Sequence, residues 1–193
     1  MASREWRRTT RPFINFGITL TRDESPLHRA VDAAIASWLP SAVDVESGYG
    51  HPWYGSFFVT EVINGLGFDA VHRSARIEIT ALDESPHRTF GWVLDGTDLP
   101  PALIWLPTTG EVVDLMSGNP FLEPGVGPSL FTDITDPEPG TTLTRQSDSR
   151  RTTYTIVDDI DRAGLHDLRC RAIEEFVATE ILPNPALAKY RAA

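Results

Sequence analysis

The chain has 193 residues, 41% of them hydrophobic and 23% charged, with a formal net charge of −10. That suffices for one core of the usual ~100–200 residues and leaves little for a second, while the acidic balance repels phosphate backbones and anionic lipid, so no nucleic acid and no membrane partner is expected. A single cysteine, Cys170, excludes an intrachain disulfide and cysteine-rich zinc sites and points to the cytoplasm, and the lone lysine, Lys189, stands where neither a Walker loop nor an internal Schiff base can use it.

The first elements are an arm and a strand. Residues 1–12 hold Arg4, Arg7, Arg8 and Arg11 around Trp6, a basic arm on an acidic body. It is either a solvated tail or a segment that docks on an acidic surface of a neighbouring subunit. Residues 13–193 read as one α+β domain. Phe13 to Thr21 alternates apolar and polar positions, as a half-buried strand does. A helix is predicted over 26–39, with Ser25 as N-cap, Pro26 at its first position and Pro40 behind it. Leu27, Ala30, Val31, Ala34, Ile35, Trp38 and Leu39 make its apolar stripe.

Next comes the densest group of unusual residues, Gly48-Tyr49-Gly50-His51-Pro52-Trp53-Tyr54-Gly55. It lacks the spacing of a dinucleotide fingerprint. It reads as a glycine-permitted loop whose aromatics close one end of the core, or as a binding rim in which His51, Trp53 and Tyr54 meet a ligand or partner. Ser56 to Ile63 follows as a predicted strand, and its alternation puts Glu61 on one face with Phe57, Val59 and Ile63. A carboxylate held there is desolvated, which raises its pKa and suits a general acid or base. The competing reading makes Glu61 an edge position or the ion-pair partner of Arg76 on a neighbouring strand, where Arg76 and Glu78 share a face.

Further strands are predicted over Ser74–Leu82, Thr89–Asp95, Ala102–Leu106, Glu111–Met116, Thr142–Ser147 and Thr152–Val157, separated by turn-prone pairs such as Thr109-Gly110. The glycine- and proline-rich residues 117–140 read as one long ordered loop. A long helix over about 162–182 closes the chain, capped by Asp161, stopped by Pro183 and buried along Leu165, Leu168, Ala172 and Phe176 with Ile173 and Val177 beside them.

The sum is an α+β fold with a curved antiparallel sheet of about six to eight strands. Its order of elements resembles that of helix-grip proteins, which implies a sheet wrapped on the C-terminal helix with a cavity between them.

Catalytic and metal motifs are thin. His28, His51, His72, His87 and His166 are scattered with no HExxH spacing, so no metal and no cofactor is expected, and no GxSxG elbow occurs. The candidate catalytic residues are therefore Glu61, His51 and Tyr54, and the candidate ligand or partner surface adds Trp53, Arg76 and Glu78. Two functions fit. The first is an acidic binding protein, of the inhibitor, immunity or assembly-subunit kind, that meets a protein partner or a second copy of itself. The second is a cofactor-independent enzyme or small-molecule carrier that uses the cavity.

Overall fold

The computed structural model describes residues 25–38, 52–81, 88–90, 92–94, 97–115, 129–146, 150–160 and 162–192. The basic arm with Arg4, Trp6, Arg7, Arg8 and Arg11, the strand expected over 13–21, and His51 lie outside them. The described elements are α1 (Pro26–Trp38), α2 (Pro52–Gly65), β1 (Val71–Ala81), β2 (Arg88–Phe90), β3 (Trp92–Leu94), β4 (Thr97–Leu99), β5 (Ala102–Leu106), β6 (Glu111–Val113), β7 (Ser129–Phe131), β8 (Thr142–Gln146), β9 (Arg150–Ile156) and α3 (Gly164–Phe176). A π-helical turn, Val177–Ile181, and a 3-10 helix, Pro185–Tyr190, follow α3.

The fold is α+β, with a curled antiparallel sheet. Strands β6, β5, β1, β9 and β8 run side by side in that order, β7 extends the row beyond β6, and β2 pairs with the far end of β1. Strand β1 organises the sheet because it is long enough to change partner: residues 71–74 pair with β5 and residues 77–79 with β2. The hairpin β3–β4 stands apart as a two-stranded ribbon. Two short strands, β4 and β7, fall in stretches read as turn and loop, and β7 interrupts the long loop expected over 117–140.

Residues 52–65 are helical, which corrects the strand predicted over 56–63. Val59, Thr60, Val62 and Ile63 favour extended backbone locally, and a short apolar run does not distinguish a buried strand from a buried helix. Burial decides. Every residue from Trp53 to Thr60 is buried, so this stretch is covered around its whole circumference, which is the pattern of a helix enclosed by protein. Pro52 opens it at a position where a missing N–H does no harm. Its polar side chains are satisfied internally: Ser56 Oγ donates to Ala102 O at 3.0 Å and Thr60 Oγ1 donates to Ser56 O at 2.8 Å.

The helix stops at Gly67, whose φ of +91° admits glycine readily. Gly67 N–H donates to Asn64 O at 3.0 Å and Phe68 N–H to Ile63 O at 3.2 Å, the paired bonds of a Schellman motif. At the other end Gly55 allows a close approach, since a Cβ there would sit 2.6 Å from Trp38 Cζ2. That space lets α1 lie against α2.

Helix α2 is thus the centre of the molecule. It packs on β1 and β5 on one side and on α1, α3 and the π-helical turn on others. The core around it includes Val31, Phe58, Ile63, Ile104 and Ile173. The opposite face of the sheet holds a second cluster of Ala75, Ile77, Leu103, Val112, Leu143, Tyr154 and Ile156, built from alternate residues and aligned by the register Ile77↔Tyr154↔Leu143. Inside it Tyr154 Oη donates to buried Asp114 Oδ2 at 3.1 Å.

The C-terminal segment corrects the expectation twice. The α-helix spans 13 residues and passes into π-helical geometry at Val177, with Ala163, not Asp161, as N-cap. Its buried line is His166, Cys170, Ile173 and Val177, whereas Leu168 is 63% exposed, Ala172 is exposed and Phe176 is half-buried. Both lines have helical spacing. The core took the one that contains a histidine and a cysteine, because α2 lies on that side.

Candidate functional site

The seam between α2, the start of β1 and α3 gathers most of the chemically distinctive side chains. Trp53 is its hub. The indole N–H donates to Ser74 Oγ at 3.1 Å, and Ser74 is held in turn by a 3.4 Å bond from its N–H to Asp159 Oδ1. Two imidazoles lie edge-on to the indole, His72 at 4.4 Å and His166 at 4.6 Å between ring centroids, and Phe57 stacks on it at 5.6 Å. His72 reaches this place because β1 alternates: His72 and Ser74 pair with Ile104 and Ala102, which belong to the α2 side of the sheet.

Tyr54 Oη lies 3.0 Å from His166 Nδ1, and His166 Nε2 lies 3.9 Å from Cys170 Sγ. The thiol, the imidazole and the phenol form one buried chain. On its outer side Arg162 covers the Phe57 ring at 4.7 Å and donates to Glu174 Oε1 at 2.7 Å, and Arg169 lies over the Tyr54 ring at 5.8 Å. Both members of the Arg162–Glu174 pair are around 40% exposed, at 43% and 39%, so the pair adds at most ~1 kcal/mol.

The electrostatics follow from burial. His72 is pushed down to about 4 by desolvation, with Asp159 opposing the shift. His166 is lowered by burial and then by Arg162. Burial raises the Cys170 thiol to about 11, against the pull of Arg162. Both imidazoles and the thiol are therefore neutral at pH 7. Glu61 is raised by burial and then by Glu174, while Arg162 pulls it down. A measurable consequence concerns Cys170: the folded protein at pH 7.5 is expected to release no thionitrobenzoate from Ellman's reagent above the buffer blank, and one equivalent after unfolding in guanidinium. Rapid reaction of the native thiol would contradict its burial.

The sequence-derived candidates separate in space. Trp53, Tyr54 and Glu61 come together on α2, although Glu61 stands there through helical spacing and not as a strand position. Its nearby cation is Arg162, two residues before α3, and not Arg76. Arg76 and Glu78 are exposed on β1, and His51 lies outside the described residues. Sequence reading passed over His72, Arg162, His166 and Glu174 as members of one site. The spacing His166, Cys170, Glu174 is one side chain per helical turn and was the signal available for two of them, His166 and Glu174.

Among the described residues no group of three or more His, Cys, Asp or Glu side chains is placed to hold a metal ion, and no helix is long and apolar enough to cross a membrane. The described elements define an α+β protein built around one enclosed helix. Set against family models, curated proteins and solved structures, the chain finds no match.

Proposed function

We propose that this is an acidic binding protein that acts through protein–protein contacts, and that the Trp53 seam is a structural joint and not a reaction centre. The observation that carries the reading is the phase of α3. Its outer line, Leu168, Arg171, Ala172 and Glu175, is exposed, and the apolar Leu168 side chain in it is 63% exposed. Exposed apolar surface rimmed by charge is what contact surfaces use. The net charge of −10 selects a partner with basic surface.

Two further points favour binding over turnover. Helix α2 lies against the sheet at β1 and β5, where the helix-grip resemblance implied a cavity. The histidine at about 4 and the thiol at about 11 are both far from the range in which a side chain shuttles protons at neutral pH. A cytoplasmic location and docking of the basic arm on an acidic surface belong to the same proposal.

The test is native mass spectrometry of the protein purified from its own source, wild type beside Leu168→Asp. The expected wild-type spectrum carries a second polypeptide or a second copy. Leu168→Asp should lose it by a factor of ten or more with an unchanged Tm, because an exposed position away from the core tolerates the change, within ~0.5 kcal/mol. A small molecule retained by both proteins, with no polypeptide on either, would overturn the reading.

A further inference from the structure

The first turn of α1 contains a linkage that partner binding does not use. Ser25 Oγ lies 2.8 Å from His28 Nδ1, and His28 Nε2 lies 2.7 Å from Glu111 Oε2. Glu111 stands on β6, 83 residues further along the chain, and is 5% exposed. The imidazole is 14% exposed, and Ser25 is partly accessible.

Proton positions follow from the partners. A carboxylate only accepts, so when the ring is neutral Glu111 takes the Nε2–H and the Nδ1 lone pair is left facing Ser25. The Ser25 O–H then donates to Nδ1. Its oxygen also accepts from His28 N–H at 3.2 Å, which occupies a lone pair and leaves the proton where it is. A serine that only caps a helix needs that last bond alone. It does not need an imidazole on its hydroxyl, or a buried carboxylate behind the imidazole.

We propose that Ser25, His28 and Glu111 form a nucleophilic centre for acyl transfer from esters, with Ser25 as nucleophile, His28 as base and Glu111 as the positioning residue that sets the imidazole tautomer. Ser25 Oγ attacks the ester carbonyl carbon while its proton passes to Nδ1. Collapse of the tetrahedral adduct breaks the bond to the alkoxide, which leaves with the Nδ1 proton as the alcohol. Water then gives its proton to Nδ1, attacks the acyl-serine and releases the carboxylic acid, and the proton returns to Ser25. Charge on the carbonyl oxygen develops at the positive end of α1. There the helical pattern leaves Leu27 N–H as a donor, Pro26 having none. Two carboxylate–imidazole–hydroxyl contacts of 2.7 and 2.8 Å are within the reach such a centre requires.

The inference goes beyond the binding proposal and is tested on the isolated full-length chain, so its failure leaves that proposal standing. Diisopropyl fluorophosphate is the probe. Attack by Ser25 forms a P–O bond and expels fluoride, and peptide mapping is expected to place one adduct on Ser25. Ser25→Asn keeps a capping side chain and removes the hydroxyl; it is expected to keep the wild-type Tm and lose the adduct. Glu111→Gln is expected to slow labelling by roughly 10²–10⁴-fold in a chain whose circular dichroism shows it folded. p-Nitrophenyl acetate should be cleaved with a burst by wild type and without one by Ser25→Asn. No adduct on the folded wild type, an adduct on another residue, or equal labelling of Glu111→Gln and wild type would each overturn the proposal and leave Ser25 as a helix cap.

Discussion

Phe58→Ala is expected to lower the unfolding free energy by about 3–5 kcal/mol, measured by guanidinium titration followed through tryptophan fluorescence. Phe58 is 1% exposed on the enclosed helix α2, and its ring lies 6.3 Å from that of Phe176. Truncation removes a ring from the middle of the core and leaves a cavity that α1, α3 and the sheet cannot all close. Against a total of ~5–15 kcal/mol the variant is expected to be marginal. Phe176→Ala, at the half-buried rim of the same contact, should cost less. A loss below ~1 kcal/mol for Phe58→Ala would mean that α2 is not the centre of the fold.

The second large effect is in pH. Folded His72 holds its proton only below about 4, against 6.5 for the free side chain, and the cause is desolvation. Between those values the unfolded chain binds a proton that the folded chain refuses. Stability is therefore fully present above about 6.5 and is lost as pH falls toward about 4, by on the order of 3 kcal/mol for this one group. His166, lowered by burial and by Arg162, acts in the same direction. Asp32 and Glu61, both raised by burial, act in the opposite direction, because their folded forms take up protons more readily as pH falls. The His72 contribution is isolated by comparing wild type with His72→Gln across this window. The variant is expected to lose about 3 kcal/mol less on acidification. Parallel pH profiles for the two proteins would show that the imidazole is solvated in the folded state.

These two predictions rest on features of different legibility. The run Trp53 to Ile63 is visibly apolar in the sequence, yet its β-branched residues and its alternation of Phe57, Val59, Glu61 and Ile63 pointed to a strand. Nothing local distinguishes the two, since the run is short and mostly apolar. Helix α1 was legible to within a residue because Ser25, Pro26 and a single apolar stripe agree. The strands β5 and β8 were legible because a short apolar run in β5, alternation in β8 and the flanking turns point the same way. Helix α3 carries two apolar lines, and periodicity alone could not say which one the core would take.

The sequence by itself determined the class of the fold, the capped helix α1, the antiparallel character of the sheet and the acidic charge, because each follows from local pattern or from composition. Tertiary structure alone decided that residues 52–65 form the central helix, that α3 turns His166 and Cys170 inward and Leu168 outward, and that Glu111 lies behind His28. Those outcomes depend on contacts between segments as far as 112 residues apart, as Tyr54 and His166 are. The free energy of enclosing Trp53 to Thr60 of α2 exceeds the local preference of its β-branched residues, at most ~1 kcal/mol each.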